Sequence, residues 1–136
     1  FCAMIFDSNS GQFKLANAGH PFPLLCSQGG TVRQIEHNSL PLGVSVKRSN
    51  YEAVTGEIAA GELMMLYTDG IIEGTDPAGQ EFGLERVEKI VSGKLEEGVV
   101  AIRDSLLFDF SNHYQRQELN DDLTFILVRR LPAAVK

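Results

Sequence analysis

A run of five apolar residues, Leu63 to Tyr67, ends abruptly in the polar sequence Thr68-Asp69-Gly70. A strand with one face in solvent alternates apolar and polar residues, whereas a continuous apolar run is typical of a strand covered on both faces. We therefore expect a sheet with other layers packed on both sides of it. We also expect a carboxylate at the point where this central strand meets a loop.

Other short apolar or alternating segments predict further strands, and the residues between them are rich in turn formers. These predicted strands cover residues 1–6, 13–17, 23–26, 31–35, 51–58 and 123–128, and residues 36–50 and 73–83 are predicted loops. Apolar residues at helical spacing predict two helices, one carrying Leu84 to Val91 and one carrying Val99 to Phe110. Antiparallel strands, then a helical pair, then a returning strand indicate an α+β fold.

The composition limits the class of protein. The chain has 136 residues, which is enough for one domain, and its 43% apolar and 22% charged residues are those of a globular protein. A net charge of -6 argues against nucleic-acid binding, which needs a basic patch. No segment approaches the roughly 18 apolar residues of a membrane span. Cys2 and Cys26 lack metal-type spacing and are interpreted as free thiols in a reducing cytosol, so a cytoplasmic location is predicted.

The start of the chain indicates that it is a piece of something longer. It does not begin with Met, and its opening residues already have the pattern of a buried strand. We expect residues 1–130 to be the C-terminal portion of a domain and residues 131–136 to be a tail.

Two acidic motifs are candidates for chemistry. Asp69 follows the central strand, and Asp121 and Asp122 stand directly before the last predicted strand. If these strands are neighbours, the acids lie at related strand ends. Hard divalent cations such as Mg²⁺ and Mn²⁺ prefer carboxylate oxygens. Each motif is also common as an ordinary turn or cap, so a structural role is the competing interpretation.

Weaker candidates surround these acids. His20 lies in a Gly-His-Pro turn, where it could contact a phosphate, although bonding to the loop backbone is the simpler interpretation. Glu73 could orient a metal-bound water or could simply be an exposed acid. His37 and His113 have polar neighbours and are interpreted as surface residues. The sequence contains neither a helical histidine pair for zinc nor a nucleophile elbow nor a Walker-type phosphate loop.

An ordered set of motifs resembles a known family, the SpoIIE/RsbU-type branch of the PPM (metal-dependent, type 2C-like) protein phosphatases. The motifs cover nearly the whole chain and are Asn17-Ala-Gly-His-Pro21, Pro23-Leu-Leu25, Pro41-Leu-Gly43, the segment from Gly61-Glu-Leu to Tyr67-Thr-Asp-Gly70, Glu73, Phe82-Gly83 and Asp121-Asp-Leu-Thr124. Each motif is weak by itself, and the resemblance depends on their order.

The resemblance implies an α-β-β-α sandwich with a binuclear Mn²⁺ or Mg²⁺ centre. It implies hydrolysis of phosphoserine or phosphothreonine on a bacterial regulatory protein, typically a STAS-type anti-sigma-factor antagonist, by a metal-activated water. Asp69 and Asp121 match metal-ligand positions, with Asp122 as the alternative to Asp121 if the register differs by one. Gly70 and Thr124 match as structural support. Sensor or receiver domains commonly precede such phosphatases in the same chain.

The sequence also departs from the family pattern. In the family, a bridging Asp-Gly pair and another acid come from an earlier segment, and residues 1–136 do not include that segment. The sandwich is therefore expected to be incomplete at its N-terminal side, to have little activity alone and to be able to form a homodimer. Two alternatives stay open: a non-catalytic binding or dimerisation module, and a phosphotransfer domain with Asp69 as nucleophile. The antiparallel start of the chain disfavours the second, since such folds have a parallel sheet.

Overall fold

A computed structural model describes residues 1–44, 51–115 and 121–132. The described residues form seven strands and three helices. In chain order these are β1 (Cys2–Phe6), β2 (Gln12–Asn17), β3 (Leu24–Cys26), β4 (Val32–Gln34), β5 (Val54–Glu57), β6 (Leu63–Tyr67), α1 (Gly70–Glu73), α2 (Leu84–Lys94), α3 (Val99–Tyr114) and β7 (Phe125–Arg129).

The strands form two antiparallel sheets. One has the order β1-β2-β5, and the other has the order β4-β3-β6-β7. All hydrogen-bonded neighbours among these strands are antiparallel. The described residues therefore lack the parallel sheet that a phosphotransfer domain with Asp69 as nucleophile would have. Strand β6 lies between β3 and β7, which makes it an inner strand, as its continuous apolar run predicts.

The four-stranded sheet is the middle layer of the molecule. One face of it packs on α2 and α3 through a core cluster that includes Leu63, Met65 and Tyr67 of β6. The opposite face packs on the three-stranded sheet, where Met64 meets Phe13 and Leu15 of β2. Successive residues of β6 therefore point into two different cores, which explains why both alternating sets are apolar.

The outer face of the three-stranded sheet is exposed among the described residues. Ile5 on β1 is 76% exposed, and its neighbours Ala3, Lys14 and Thr55 are exposed as well. The described part of the chain thus contains three of the four layers that the resemblance implies, namely one helical layer and both sheets. The predicted α+β class and the sandwich architecture are confirmed.

Several element boundaries differ from the prediction. Strand β2 pairs with β5 along one edge, but at the end of β2 this edge is bonded to another segment, since the Asn17 carbonyl accepts a hydrogen bond from the Ser39 N–H at 2.9 Å. Residues 38–39 thus take the place in which a longer β5 would pair with β2. Strand β5 consequently begins at Val54 rather than at Tyr51. The last strand begins at Phe125 rather than at Leu123. Residues 45–50 of the predicted loop and 133–136 of the predicted tail lie outside the described residues.

The structure adds the short helix α1, which the sequence did not predict. Its four residues directly follow Thr68 and Asp69, which come after the central strand. Four residues are too few to show the periodicity from which a helix is predicted. Cys2 and Cys26 are both free thiols, as predicted. None of the helices in the described ranges is long and apolar enough to cross a membrane.

Candidate metal centre

The antiparallel pairing of β6 and β7 brings the two acidic motifs to one end of the middle sheet. Tyr67, the last residue of β6, pairs with Phe125, the first residue of β7. Asp69 therefore follows β6 at the same end at which Asp121 and Asp122 precede β7. Asn120, which directly precedes Asp121 in the sequence, lies outside the described residues.

Thr68 joins the two strands beyond the end of their regular pairing. Its hydroxyl donates to the Asp122 carbonyl at 2.8 Å and accepts from the Thr124 N–H at 3.0 Å. Its backbone N–H donates to the Thr124 carbonyl at 2.9 Å. These bonds fix the backbone that carries Asp122 relative to the backbone that carries Asp69. The sequence analysis did not single out Thr68, although a hydroxyl residue directly after a buried strand was a usable signal.

Gly70 allows the two segments to approach each other closely. A Cβ atom at this position would lie 2.6 Å from the Asp122 carbonyl oxygen, a separation that real side chains do not tolerate. The first turn of α1 can therefore contact the Asp122 backbone only because residue 70 has no side chain. Asp69 stands at the N-cap of α1, and its side chain makes no capping hydrogen bond, so its carboxylate is not used to start the helix.

The carboxylates at this end are exposed. Asp69, Asp121 and Asp122 all reach solvent, and none of them forms a salt bridge with another described residue. One oxygen of Asp121 accepts the Asp122 N–H at 2.7 Å, which orients that carboxylate. Within the described ranges, no group of three or more His, Cys, Asp or Glu residues is arranged to hold a metal ion.

A small cavity of about 130 Å³ lies beside these acids. It brings Glu73 and Asp121 together, and its other lining residues are Gly70, Gly74, Thr75, Phe110 and Tyr114. Asp69 and Asp122 are not among the residues that line it. Of the two acids before β7, Asp121 is therefore the one that shares this cavity with Glu73.

Neighbouring polar groups are poor acid–base candidates. Burial, with a smaller effect of the Glu88 charge, raises the pKa of Tyr67 to about 12, so its hydroxyl stays protonated at neutral pH. Other polar groups at the acid end include the carboxylates and the Thr68 hydroxyl. All of them are oxygens, the ligand atoms that Mg²⁺ and Mn²⁺ prefer, so the donor set fits part of a site for a hard cation.

His20 lies in a separate turn. The side-chain amide of Asn17 makes two hydrogen bonds to the His20 backbone, both of 2.9 Å. Its Nδ2 donates to the His20 carbonyl, and its Oδ1 accepts from the His20 N–H. The His20 ring nitrogen Nδ1 lies 3.1 Å from the Pro21 carbonyl oxygen. His20 is not among the residues that line the cavity beside Asp121. These contacts tie the histidine to its own loop backbone.

His113 has more contacts than its interpretation as a surface residue suggests. Its Nδ1 lies 2.7 Å from an Arg86 guanidinium nitrogen, and its Nε2 lies 2.9 Å from the Gln80 carbonyl oxygen. Its ring packs edge-on against Phe82 at 5.5 Å. It also borders a groove of about 1060 Å³ between α2 and α3, which is far larger than the cavity beside Asp121 but contains none of the candidate ligands.

Comparison with known proteins identifies the family. The sequence profile of the family described as Stage II sporulation protein E (SpoIIE) matches residues 1–131. The chain belongs to the SpoIIE family. It is 26% identical over 125 residues to Stage II sporulation protein E of Bacillus subtilis, a match that covers 92% of this chain and 14% of that protein.

Solved structures of SpoIIE-family phosphatase domains share the fold. The phosphatase domain of the cell fate determinant SpoIIE from Bacillus subtilis, presoaked with Mn, superposes with a TM-score of 0.74 at 20% identity and covers 100% of this chain and 58% of that chain. The RsbU and RsbW domains of a Mycobacterium tuberculosis protein give a TM-score of 0.71 at 24% identity, and the match covers 96% of this chain and 35% of that chain. The chain thus spans only part of each relative. The recognised family and the PP2C phosphatase-like sandwich are both confirmed.

Proposed function

We propose that this SpoIIE-family chain forms part of a metal-dependent phosphatase that hydrolyses phosphoserine or phosphothreonine on a protein. The observation that carries the proposal is the pairing of β6 with β7, which puts Asp69 and Asp121 at one end of the middle sheet. Family membership and the phosphatase-domain fold of the relatives support it.

In this proposal, Asp69 and Asp121 hold a divalent cation, Mn²⁺ or Mg²⁺. The bound cation supplies an activated water and neutralises phosphoryl charge. Gly70, Thr68 and Thr124 keep the two carboxylates in place through the close approach and the hydrogen bonds described above. Glu73 borders the same cavity as Asp121 and can accept a hydrogen bond from water there. Asp122 remains the alternative ligand, and His20 is assigned a supporting role in its turn.

The substrate and the setting are proposed from the family resemblance. We expect a phosphorylated STAS-type regulator of a sigma-factor pathway as substrate, and an upstream sensor or receiver domain in the complete protein. A cytoplasmic location and the absence of nucleic-acid binding agree with the free thiols and the net charge of -6.

The described residues favour low activity of this chain by itself. Two carboxylates are few for a binuclear centre, and the described ranges contain no group of three metal-binding side chains. Cation affinity rises with the number and charge of ligands, so we expect weak binding without further acids. The same observation favours the second candidate function, a non-catalytic module that binds a partner or a second copy.

Phosphate release from a phosphoserine protein, measured with the complete protein, separates these functions. We expect turnover that rises with added Mn²⁺ and disappears with a chelator. Asp121→Asn should abolish most of it, while Asp122→Asn should retain most of it if Asp121 is the ligand. A complete protein that binds partners but releases no phosphate with Mn²⁺ or Mg²⁺ would establish the non-catalytic alternative.

A further inference from the structure

The loop between α1 and α2, residues 74–83, is internally bonded. The Asp76 carboxylate accepts the backbone N–H groups of Ala78 and Gln80 at 2.9 Å each, and Thr75 pairs with Glu81. The hydrogen bonds to the Asp76 carboxylate lower its pKa, and the bond from the Gln80 N–H has the largest effect. The carboxylate that organises the loop therefore stays ionised. At its base the Phe82 N–H donates to the Gly74 carbonyl at 2.8 Å. The two limbs of the loop are therefore hydrogen-bonded to each other at the base as well as near the tip.

Besides the packing of the Phe82 ring on Phe110 and His113, the loop contacts α3 at its base and near its tip. At the base, Gly74 lies directly against the Phe110 ring, and a Cβ atom on Gly74 would overlap ring atoms. At the tip, the Gln80 carbonyl lies 2.9 Å from His113 Nε2. The base contact is apolar and close-packed, whereas the tip contact depends on one hydrogen bond.

The neighbours of His113 determine its tautomer. A carbonyl oxygen only accepts hydrogen bonds, so the bond to Gln80 requires a hydrogen on Nε2. Arginine only donates, so the 2.7 Å contact with Arg86 requires a lone pair on Nδ1. The Arg86 guanidinium is in turn held over the Phe82 ring, with its carbon 5.6 Å from the ring centroid. The contact with Arg86 thereby favours the Nε2–H tautomer of His113, which donates to the Gln80 carbonyl.

We propose that His113 is a positioning residue for the phosphatase reaction, acting through the loop 74–83. The inference rests on the proposed function. Glu73, Gly74 and Thr75 line the cavity beside Asp121, and they precede the loop tip that His113 holds. The cavity is closed by Phe110 and Tyr114, which stack at 5.4 Å on the same stretch of α3. The hydrogen bond from His113 fixes how Glu73 and Thr75 sit relative to Asp121.

Two substitutions at His113 isolate the hydrogen bond from the ring packing. His113→Phe keeps an aromatic ring against Phe82 but removes the donor to Gln80. His113→Gln removes the ring but keeps an N–H that can reach the same carbonyl. Ser111→Ala is the matched control, because Ser111 is exposed on the same helix and takes no part in the bonds that join Arg86, His113 and Gln80.

In the complete protein with saturating Mn²⁺, we expect His113→Phe to lower kcat about tenfold with KM for the phosphoprotein changed less than twofold, since small misplacements in a catalytic site are costly. Amide hydrogen exchange of residues 74–83 should accelerate in this variant. His113→Gln should recover most of kcat and most of the protection, and Ser111→Ala should match the unmodified protein.

The outcomes separate this inference from the proposed function. Faster exchange in His113→Phe with unchanged kcat would overturn the positioning role while the phosphatase proposal stands. Unchanged exchange in that variant, or a His113→Gln variant as impaired as His113→Phe, would overturn it too. Absence of metal-dependent phosphate release from the unmodified complete protein would overturn the proposed function, and the positioning role with it.

Discussion

The two ends of the β6–β7 pair use polar residues in opposite ways. At the end near the β5–β6 turn, Arg130 binds the Glu57 carboxylate at 2.8 Å, the Ile58 carbonyl at 3.1 Å and the Asn9 carbonyl at 3.2 Å. At the other end, Thr68 joins the backbones of the two strands, and the nearby carboxylates of Asp69 and Asp121 have no cationic partner among the described residues.

This difference separates stabilisation from function within one strand pair. At the Arg130 end the charges neutralise each other and the carbonyls are satisfied, so removing the arginine leaves unpaired acceptors. At the acid end a hydroxyl and a glycine position the backbone, and the carboxylates remain available to a ligand. We therefore expect loss of a carboxylate at the acid end to affect turnover more than stability, and loss of Arg130 at the other end to do the reverse.

The largest effect is expected for Asp69→Asn in the complete protein. The substitution keeps the shape of the side chain but removes the charge proposed to hold a cation, so metal-dependent turnover should fall by about 100-fold or more. The melting temperature without metal should not decrease, because the Asp69 side chain makes neither a capping hydrogen bond nor a salt bridge among the described residues. Asp104→Asn on α3 is the matched control and should retain turnover. Near-normal rates of Asp69→Asn at limiting Mn²⁺ would contradict the ligand assignment.

Gly70→Ala tests whether close backbone approach maintains the acid end. The new methyl group must displace the Asp122 carbonyl, at a cost of about 1–3 kcal/mol in the free energy of unfolding. We expect turnover to fall about tenfold as well, since the displaced segment carries Asp121. Denaturant unfolding and phosphate release measure the two effects. Gly29→Ala, where nothing lies within 4 Å of the added Cβ, should change neither. Equal behaviour of the two variants would refute the role assigned to Gly70.

Arg130→Met tests the opposite end of the comparison. Its side chain is mostly buried, and its loss leaves the Ile58 and Asn9 carbonyls without a donor. We expect a loss of about 1–3 kcal/mol in the free energy of unfolding, with turnover of the remaining folded protein unchanged. Arg103→Met, which removes an exposed ion pair with Asp104, should cost at most about 1 kcal/mol. A large loss of turnover in Arg130→Met would show that the two ends are not separable.

How much could be read from the sequence also differs between regions. The central strand and the position of Asp69 were predictable because five consecutive apolar residues followed by Thr-Asp-Gly carry the information locally. The neighbouring positions of Asp69 and Asp121 followed only on the assumption that β6 and β7 pair, which the structure confirms. The helix α1 was missed since its four residues are too few for periodicity. The contacts of His113 were missed because Arg86 and Gln80 are distant in sequence and neither belongs to a motif.

Thr68→Val is expected to have the smallest effect of the four, and it tests the acid end most directly. Valine keeps the branched shape, but the Asp122 carbonyl loses a donor and the Thr124 N–H loses an acceptor. We expect a loss of about 1 kcal/mol in the free energy of unfolding, because both groups lie near solvent, which replaces part of the interaction. Turnover should fall a few-fold, since the Asp122 carbonyl is then no longer bound to Thr68, although the bond from the Thr68 N–H to the Thr124 carbonyl remains. Thr68→Ser, which retains the hydroxyl, should restore turnover. If Thr68→Ser is no more active than Thr68→Val, the methyl group rather than the hydrogen bonds maintains this end of the strand pair.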